Sequence, residues 1–463
     1  MIRGLYSALM WLAQPLLKRK LLRRSQQEPG YGQFMDERFG HFAKPVPAHQ
    51  GPMVWIHAVS LGETRAAAVL VATLRQQLPH MRLLLTHGTA TGRAEGLKIL
   101  GDGDLQAWQP WDTPGAVQRF LTNFKPDLGI LMETEVWPNL VFGCQQMGVP
   151  LVLANARLSD KSLRQAKRLA WLARPAFAAL TAVWAQTPLD AERLQSMGAK
   201  VHGVLGNLKF DAAPDADQLA LGRTWRAQLA QPVVMFASSR EGEELALLQI
   251  LKHFEPLALM DKAQVAIKKV ATGAHWLIVP RHPQRFDAVA TLIESQGFAV
   301  QRRSSWGPDG PMGSVASAAD APASPTVPLP ASAPPTIWLG DSLGEMALYY
   351  GLADVALLGG SFEPLGGQNL IEAAACGCPV VMGPHTFNFA AVAQHAEQVG
   401  AALRAPHLSD AIRQAAELVT DVERLAAARQ VAESFARSHG GASAQLAGAI
   451  KQMLNKKPTC CRV

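Results

Sequence analysis

Two glutamates stand where a short apolar run gives way to a helical pattern: Glu63 after Val54 to Val59, and Glu133 after Leu128 to Met132. Open α/β sheets place ligands at the carboxyl ends of strands, and a carboxylate there can take a proton from an alcohol. An acid in the first turn of a helix also answers the helix dipole, worth about 0.3–1 kcal/mol, and for Glu63 taken alone that is the stronger reading. Glu133 lies in Met132-Glu133-Thr134-Glu135-Val136-Trp137-Pro138-Asn139. Those two acids beside a Trp-Pro turn read equally as a catalytic or acceptor-contacting element and as a capping cluster. Lys209, in Gly206 to Asp211, can neutralise a leaving phosphate or be a solvated hinge lysine. Arg281 and His282 directly follow the apolar run Trp276 to Val279. Arginine offers a forked donor to phosphate or carboxylate, and His282 can hold a diphosphate or a base edge. Asp341 to Glu345 is a further loop before a helix, with Gly344 permitting backbone contact.

The richest segment is Gly359 to Phe389, GGSFEPLGGQNLIEAAACGCPVVMGPHTFNF. Glycine pairs at a strand-to-helix turn let a ligand approach the backbone, because no Cβ intervenes. The helix start after Gly366-Gly367 offers free N–H groups to a phosphate. Glu372, one turn in, is placed to accept from a ribose diol. The segment reads as half of a nucleotide site.

These residues need a scaffold, and composition supplies one. The 463-residue chain is 48% hydrophobic and 17% charged, which describes a globular protein with a large core and a length suited to two domains. Short apolar runs alternate with helical patterns from about residue 50, the mark of a parallel α/β architecture. Expected strands are 54–59, 82–86, 128–132, 151–154, 182–185 and 201–205, then 233–237, 276–279, 337–339, 355–358 and 380–382. The polar stretch at 212–230 separates two halves, so two Rossmann-like lobes with a cleft between them are expected. The expected division is an N-terminal anchor and basic flank at 1–28, lobes at 29–212 and 213–445, and a tail at 446–463. Residues 257–272 and 304–335 read as insertions, the second a Ser/Ala/Pro/Gly-rich, disordered excursion unable to build a core.

A formal charge of +7 is concentrated at one end, since residues 1–24 hold six Lys or Arg and no acid. The apolar stretch GLYSALMWLAQPLL at 4–17 precedes KRKLLRR at 18–24. It falls short of the roughly 20 apolar residues of a spanning helix, and its charges lie on the wrong side for a signal peptide. An amphipathic or shallowly inserted anchor, its basic residues on anionic head groups, is expected; a surface helix packed on the body is the alternative. Five scattered cysteines exclude a disulfide framework. Cys144, Cys376 and Cys378 read as core thiols, and Cys460-Cys461 is given no role. Walker loops, GxSxG elbows, HExxH and CxxC pairs are missing from the sequence. No metal site is expected, and nucleic acid is not expected as a partner.

Taken together in order, WIHAVSLGE, METEVWPNL, NARLSDKS, AQTPLDAERL, GNLKFD, SSREGEE, VPRHPQRF, DSLGEMALYY and the Gly359 to Phe389 segment make the chain resemble the 3-deoxy-D-manno-octulosonic acid (Kdo) transferases of lipopolysaccharide assembly. The resemblance runs to about residue 440. It implies the GT-B glycosyltransferase fold, and inverting transfer of Kdo from CMP-Kdo to the lipid A precursor lipid IVA at the cytoplasmic face of the inner membrane. The partners it implies are CMP-Kdo, lipid IVA and inner-membrane phospholipids. It makes Glu63 the general base and gives Glu133 and Lys209 to transition-state stabilisation. Arg281, His282, Leu343, Gly344, Glu345, Asn369, Leu370, Ile371 and Glu372 match its CMP-binding segments. Gln368 departs from the His often found there. No cofactor is implied, because CMP carries one phosphate and cationic side chains are at hand. The rival readings are a GT-B transferase using a UDP-sugar on another membrane acceptor, a nucleotide-sugar epimerase, and a non-enzymatic membrane-bound interaction protein.

Overall fold

Trp55 faces one way from its strand and Val54 and Ile56 the other, and all three are fully buried. A strand buried on both faces belongs to the centre of a parallel sheet covered by helices on both sides. The computed structural model describes residues 2–43, 46–211, 213–252, 273–311 and 335–456. It divides into one unit of residues 1–212 with 439–463 and another of 213–438.

The first unit holds β1 (Met53–His57), β2 (Arg82–His87), β3 (Leu105–Trp108), β4 (Leu128–Met132), β5 (Leu151–Ala156), β6 (Ala182–Ala185) and β7 (Val201–Val204). They form one parallel sheet in the order β3-β2-β1-β4-β5-β6-β7. The order reverses between β1 and β4. Their connections leave in opposite directions there, which opens a crevice beyond the carboxyl ends of the two strands. On one face Trp55, Phe120, Leu131 and Leu153 pack together; on the other, Ile56, Leu70, Leu85 and Ile130 do so.

Leu446, Ala447 and Ile450 of the helix Ala442–Asn455 complete that second core, against α2 (Leu61–Gln77). The sequence places 439–445 in the second lobe and the rest in a tail. Helical spacing of these apolar residues instead returns the chain to the first unit. Residues 457–463, with Cys460-Cys461, lie outside the described residues.

The basic N-terminal stretch is α1 (Ile2–Gln27). Tyr6 Oη donates to Asp112 (2.9 Å) and Ser7 Oγ to Asn139 (3.0 Å), while Leu21 packs with Tyr31 and Trp108. Leu5, Leu9, Trp11, Leu12 and Leu16 are exposed. Among the described residues no helix is long and apolar enough to cross a membrane.

The second unit repeats the scheme with β8 (Val233–Ser239), β9 (His275–Pro280), β10 (Ala299–Arg302), β11 (Thr336–Leu339), β12 (Val355–Leu358), β13 (Val380–Met382) and β14 (Ala402–Arg404). The order is β10-β11-β9-β8-β12-β13-β14, again parallel, and it reverses between β8 and β12. Val234, Phe236, Ile278, Leu339 and Val381 share its core with Ala411 and Ile412. The expected excursion at 304–335 does not hold for its first residues, 304–311. Trp306 is buried against Trp225 and Trp338, and Ser304 is bonded to Asp341, so residues up to 311 belong to the body. The expected insertion at 257–272 and residues 312–334 lie outside the described residues. Cys144, Cys376 and Cys378 are buried free thiols.

Candidate functional site

Ser60 caps α2 by accepting the Glu63 N–H at 3.4 Å. The Glu63 carboxylate reaches back: Oε1 accepts from Ser60 Oγ (3.0 Å) and Oε2 from Val59 N (2.9 Å). This arrangement, a capping box whose backbone donor is Val59 N rather than the N–H of the cap itself, fixes a half-buried carboxylate at the carboxyl end of β1. Burial pushes the Glu63 carboxyl up to about 7; the Val59 and Ser60 bonds oppose the rise, and the nearby Glu133 and Glu135 charges add to it. A carboxyl in that range is half ionised near neutrality, where a proton acceptor works best.

Glu133 directly follows β4, across the reversal point from Glu63. Its φ of +58° is left-handed, which turns its side chain out of the strand; its N–H donates to Ala154 O (3.0 Å) and its carbonyl accepts from Arg157 N (3.3 Å). Lys209 comes from the 3-10 turn Leu208–Asp211. Nζ stands 3.5 Å from Glu133 Oε1 and 3.9 Å from where a Cβ on Gly62 would sit. Thus Glu63, Glu133 and Lys209, far apart in sequence, gather beyond β1 and β4.

The sequence marks the supports only as members of NARLSDKS, AQTPLDAERL and GNLKFD, without a role. Asn155, at φ +51° near the end of β5, accepts the Leu208 N–H at Oδ1 (3.1 Å) and the Gln186 Nε2–H at its carbonyl (2.9 Å). Gln186 in turn holds Asn207 (3.1 Å), whose Oδ1 accepts the Lys209 N–H (3.0 Å). Three amide side chains therefore set the lysine's backbone. Asn155 carries a readable signal, its place after the expected strand 151–154; Gln186 carries none of its own. Glu135 also joins the cluster. It accepts from Trp137 Nε1 (2.8 Å), and burial, then Glu133, raises its carboxyl.

In the second unit Arg281 and His282 are exposed directly after β9, with the Arg281 N–H bonded to Ser239 O (3.0 Å). Leu343 is exposed, and Gly344, at φ +81°, accepts at its carbonyl from Gln218 Nε2 (3.0 Å). Glu345 pairs with Arg303 (2.9 Å) and accepts from Ser342 Oγ. Asn369 caps the helix Leu370–Ala375 by accepting from Ile371 N (3.1 Å). Leu370 and Ile371 are core side chains, so only their backbone can face a ligand. Glu372 is exposed in the first turn. The buried phenol of Tyr350 feels both ends of this group: after burial itself, Glu372 raises its proton affinity, while Arg281 lowers it.

One expectation fails. The first glycine pair does not lie open to a ligand. The Gly360 N–H meets both oxygens of buried Glu243 (2.9 and 2.8 Å), and that carboxylate also accepts from Phe362 N (3.3 Å) and Arg240 N (2.9 Å). A Cβ on Gly359 would fall 2.3 Å from the Ser238 carbonyl oxygen. These glycines serve chain packing and an internal anion at the β8/β12 reversal.

The family model for 3-deoxy-D-manno-octulosonic-acid transferase (kdotransferase) matches residues 33–212. The 3-deoxy-D-manno-octulosonic acid transferase of Bordetella pertussis is 42% identical over 460 residues, covering 98% of this chain and 99% of its own. That of Haemophilus influenzae is 31% identical, covering 90% of each. Among solved structures, a glycosyltransferase from Rickettsia africae aligns over 88% of this chain and all of its own with TM-score 0.53 at 11% identity. UDP-GlcNAc 2-epimerase from Neisseria meningitidis aligns over 88% of this chain and 100% of its own with TM-score 0.51 at 14% identity. The two-sheet fold is therefore that of the GT-B glycosyltransferases, and the chain belongs to the 3-deoxy-D-manno-octulosonic acid transferase family of glycosyltransferases.

Proposed function

We propose that this enzyme moves Kdo from CMP-Kdo to lipid IVA with inversion at the anomeric carbon, at the cytoplasmic face of the inner membrane. The observation that carries the reading is the Glu63 carboxylate, held by Val59 and Ser60 beside Glu133 and Lys209, with its proton affinity raised to about 7. The acceptor hydroxyl oxygen bonds to the anomeric carbon while its proton passes to Glu63. The bond from that carbon to the phosphate oxygen breaks, and its electron pair leaves with CMP. Glu133 answers the positive charge that grows on the sugar, and Lys209 the negative charge on the phosphate, a preorganised electrostatic role. Arg281, His282, the Leu343–Glu345 turn and the Asn369–Glu372 helix start hold CMP. With these cations, the reaction needs no metal ion.

The exposed leucines and Trp11 of α1, followed by its basic end, support seating on an anionic bilayer as an interfacial helix. Incubation with CMP-Kdo and lipid IVA tests the whole reading. Release of CMP, a mass gain of Kdo on the lipid and full activity in excess chelator are expected. Turnover with UDP-sugars in place of CMP-Kdo would overturn it.

A further inference from the structure

His87 ends β2 fully buried and contributes nothing to the chemistry proposed above. Its ring makes three contacts: Nδ1 lies 3.0 Å from the Ala58 carbonyl oxygen and, more distantly, 3.4 Å from Thr64 Oγ1, and Nε2 lies 3.1 Å from Gln106 Nε2. Gln106 decides the tautomer. The same Gln106 Nε2 lies 2.8 Å from the Arg93 carbonyl oxygen, a distance that only an amide NH₂ tolerates. The amide orientation is thus fixed, and Gln106 must donate to His87 Nε2. The His87 proton then resides on Nδ1, which donates to Ala58 O. Burial keeps the ring neutral, holding its proton affinity down at about 4. Gly96 makes the arrangement possible, since a Cβ there would fall 2.4 Å from His87 Nε2 and 2.7 Å from Gln106 Nε2.

The acceptor of that bond is significant. The Ala58 carbonyl belongs to the same peptide as the Val59 N–H, which donates to Glu63 Oε2 at 2.9 Å. Hydrogen bonds at both ends of one peptide polarise each other, strengthening each by about 10–30%. The following peptide is held as firmly, with Val59 O accepting from Gly88 N (3.1 Å), Thr89 N (2.9 Å) and Thr89 Oγ1 (2.9 Å). Thr64 Oγ1 donates to Ser60 O at 2.9 Å.

We infer that His87 is a positioning residue for Glu63, acting through the Ala58–Val59 peptide. The inference rests on Glu63 as the base. The Nδ1–H bond sharpens the Val59 N–H as a donor, so it favours the ionised carboxylate and fixes which oxygen faces the acceptor. Glu63 also faces Glu133 and Glu135 after β4 and Lys209 in the turn after β7; His87 faces Arg93 on α3 (Ala90–Gly96) and His57 on β1. All of these stay constant in the variants below.

The test is the pH profile of kcat/KM for the full-length enzyme with CMP-Kdo and lipid IVA. His87→Leu removes the donor and moves the acid limb up by about half a unit, a roughly threefold loss below the limb with the alkaline plateau unchanged. His87→Asn restores the limb, because its Nδ2 stands in for Nδ1; His87→Gln does not. Gln106→Leu, the fallback should His87→Leu fail to fold, moves the limb the same way by less. An unmoved limb in a folded His87→Leu or Gln106→Leu enzyme overturns the relay and leaves Glu63 as base. So does an equal loss at every pH in His87→Leu and His87→Asn. An unaltered enzyme without any acid limb overturns both.

Discussion

Lys209 Nζ stands 3.5 Å from Glu133 Oε1, joining the end of β4 to the turn after β7. Both groups are partly solvated, so the pair adds little to stability. Its significance lies in setting where a positive and a negative charge stand together.

If the two act as one unit, their losses overlap. Glu133→Gln and Lys209→Met should each lower kcat by about 10²-fold. The double variant should be no worse than the poorer single. Single-turnover CMP release measures all three, and losses that multiply would dissolve the pairing.

Glu63→Gln should cost about 10²–10⁴-fold in transfer while leaving CMP affinity, read by calorimetry, intact. Retained turnover would remove Glu63 from the base role. The same change bears on stability. The folded value of about 7 lies above the unfolded one, near 4.3. The fold therefore favours the protonated acid, and stability is lost as pH rises from the unfolded value through the folded one. Glutamine escapes that loss. Its variant should melt higher than the parent above pH 7 and gain nothing below about pH 4. A gain independent of pH would contradict the linkage.

Glu243 gives a prediction of the opposite kind. Its carboxylate takes the N–H groups of Arg240, Gly360 and Phe362, and each buried N–H left unmet costs about 1–3 kcal/mol. Glu243→Ala should lower unfolding free energy by about 3 kcal/mol or more in urea titration. A variant of unchanged stability that fails only to bind CMP would assign the glutamate to the ligand instead.

The central strands were legible because burial on both faces leaves continuous apolar runs such as Val54 to Ile56 and Val355 to Leu358. The unread strands, β3, β10 and β14, all lie at sheet edges. There Leu105-Gln106, Ala299 to Arg302 and Leu403-Arg404 are only half-buried, and their side chains lose the apolar signature. Glu63, Glu133 and Lys209 were readable from their places after strands. The role of Gly359-Gly360 was not. A glycine pair looks the same whether a ligand or Glu243 fills it, and only the chain's return past β8 distinguishes them. The roles of Gln186 and His87 were invisible because their work is done by hydrogen bonds to backbone carbonyls and to single amide side chains, which impose no spacing on the sequence.

The N-terminal helix can be separated from the chemistry. Leu5, Leu9, Leu12 and Leu16 are spaced to line one stripe of α1 and are exposed, as is Trp11 off that stripe. Tyr6 and Ser7 hold the other side on Asp112 and Asn139. Leu9→Glu with Leu12→Glu changes only solvent-facing positions, so melting temperature and transfer to a soluble, deacylated acceptor should be unchanged. Burying two leucines in a bilayer is worth about 3 kcal/mol or more, so vesicle co-sedimentation should fall about 10²-fold. Replacing Lys18, Arg19 and Lys20 by glutamine should weaken binding to anionic vesicles alone, by about 1 kcal/mol per charge, and salt should mask the difference. A parent enzyme that ignores vesicles of either composition would end the interfacial reading of α1 without touching Glu63.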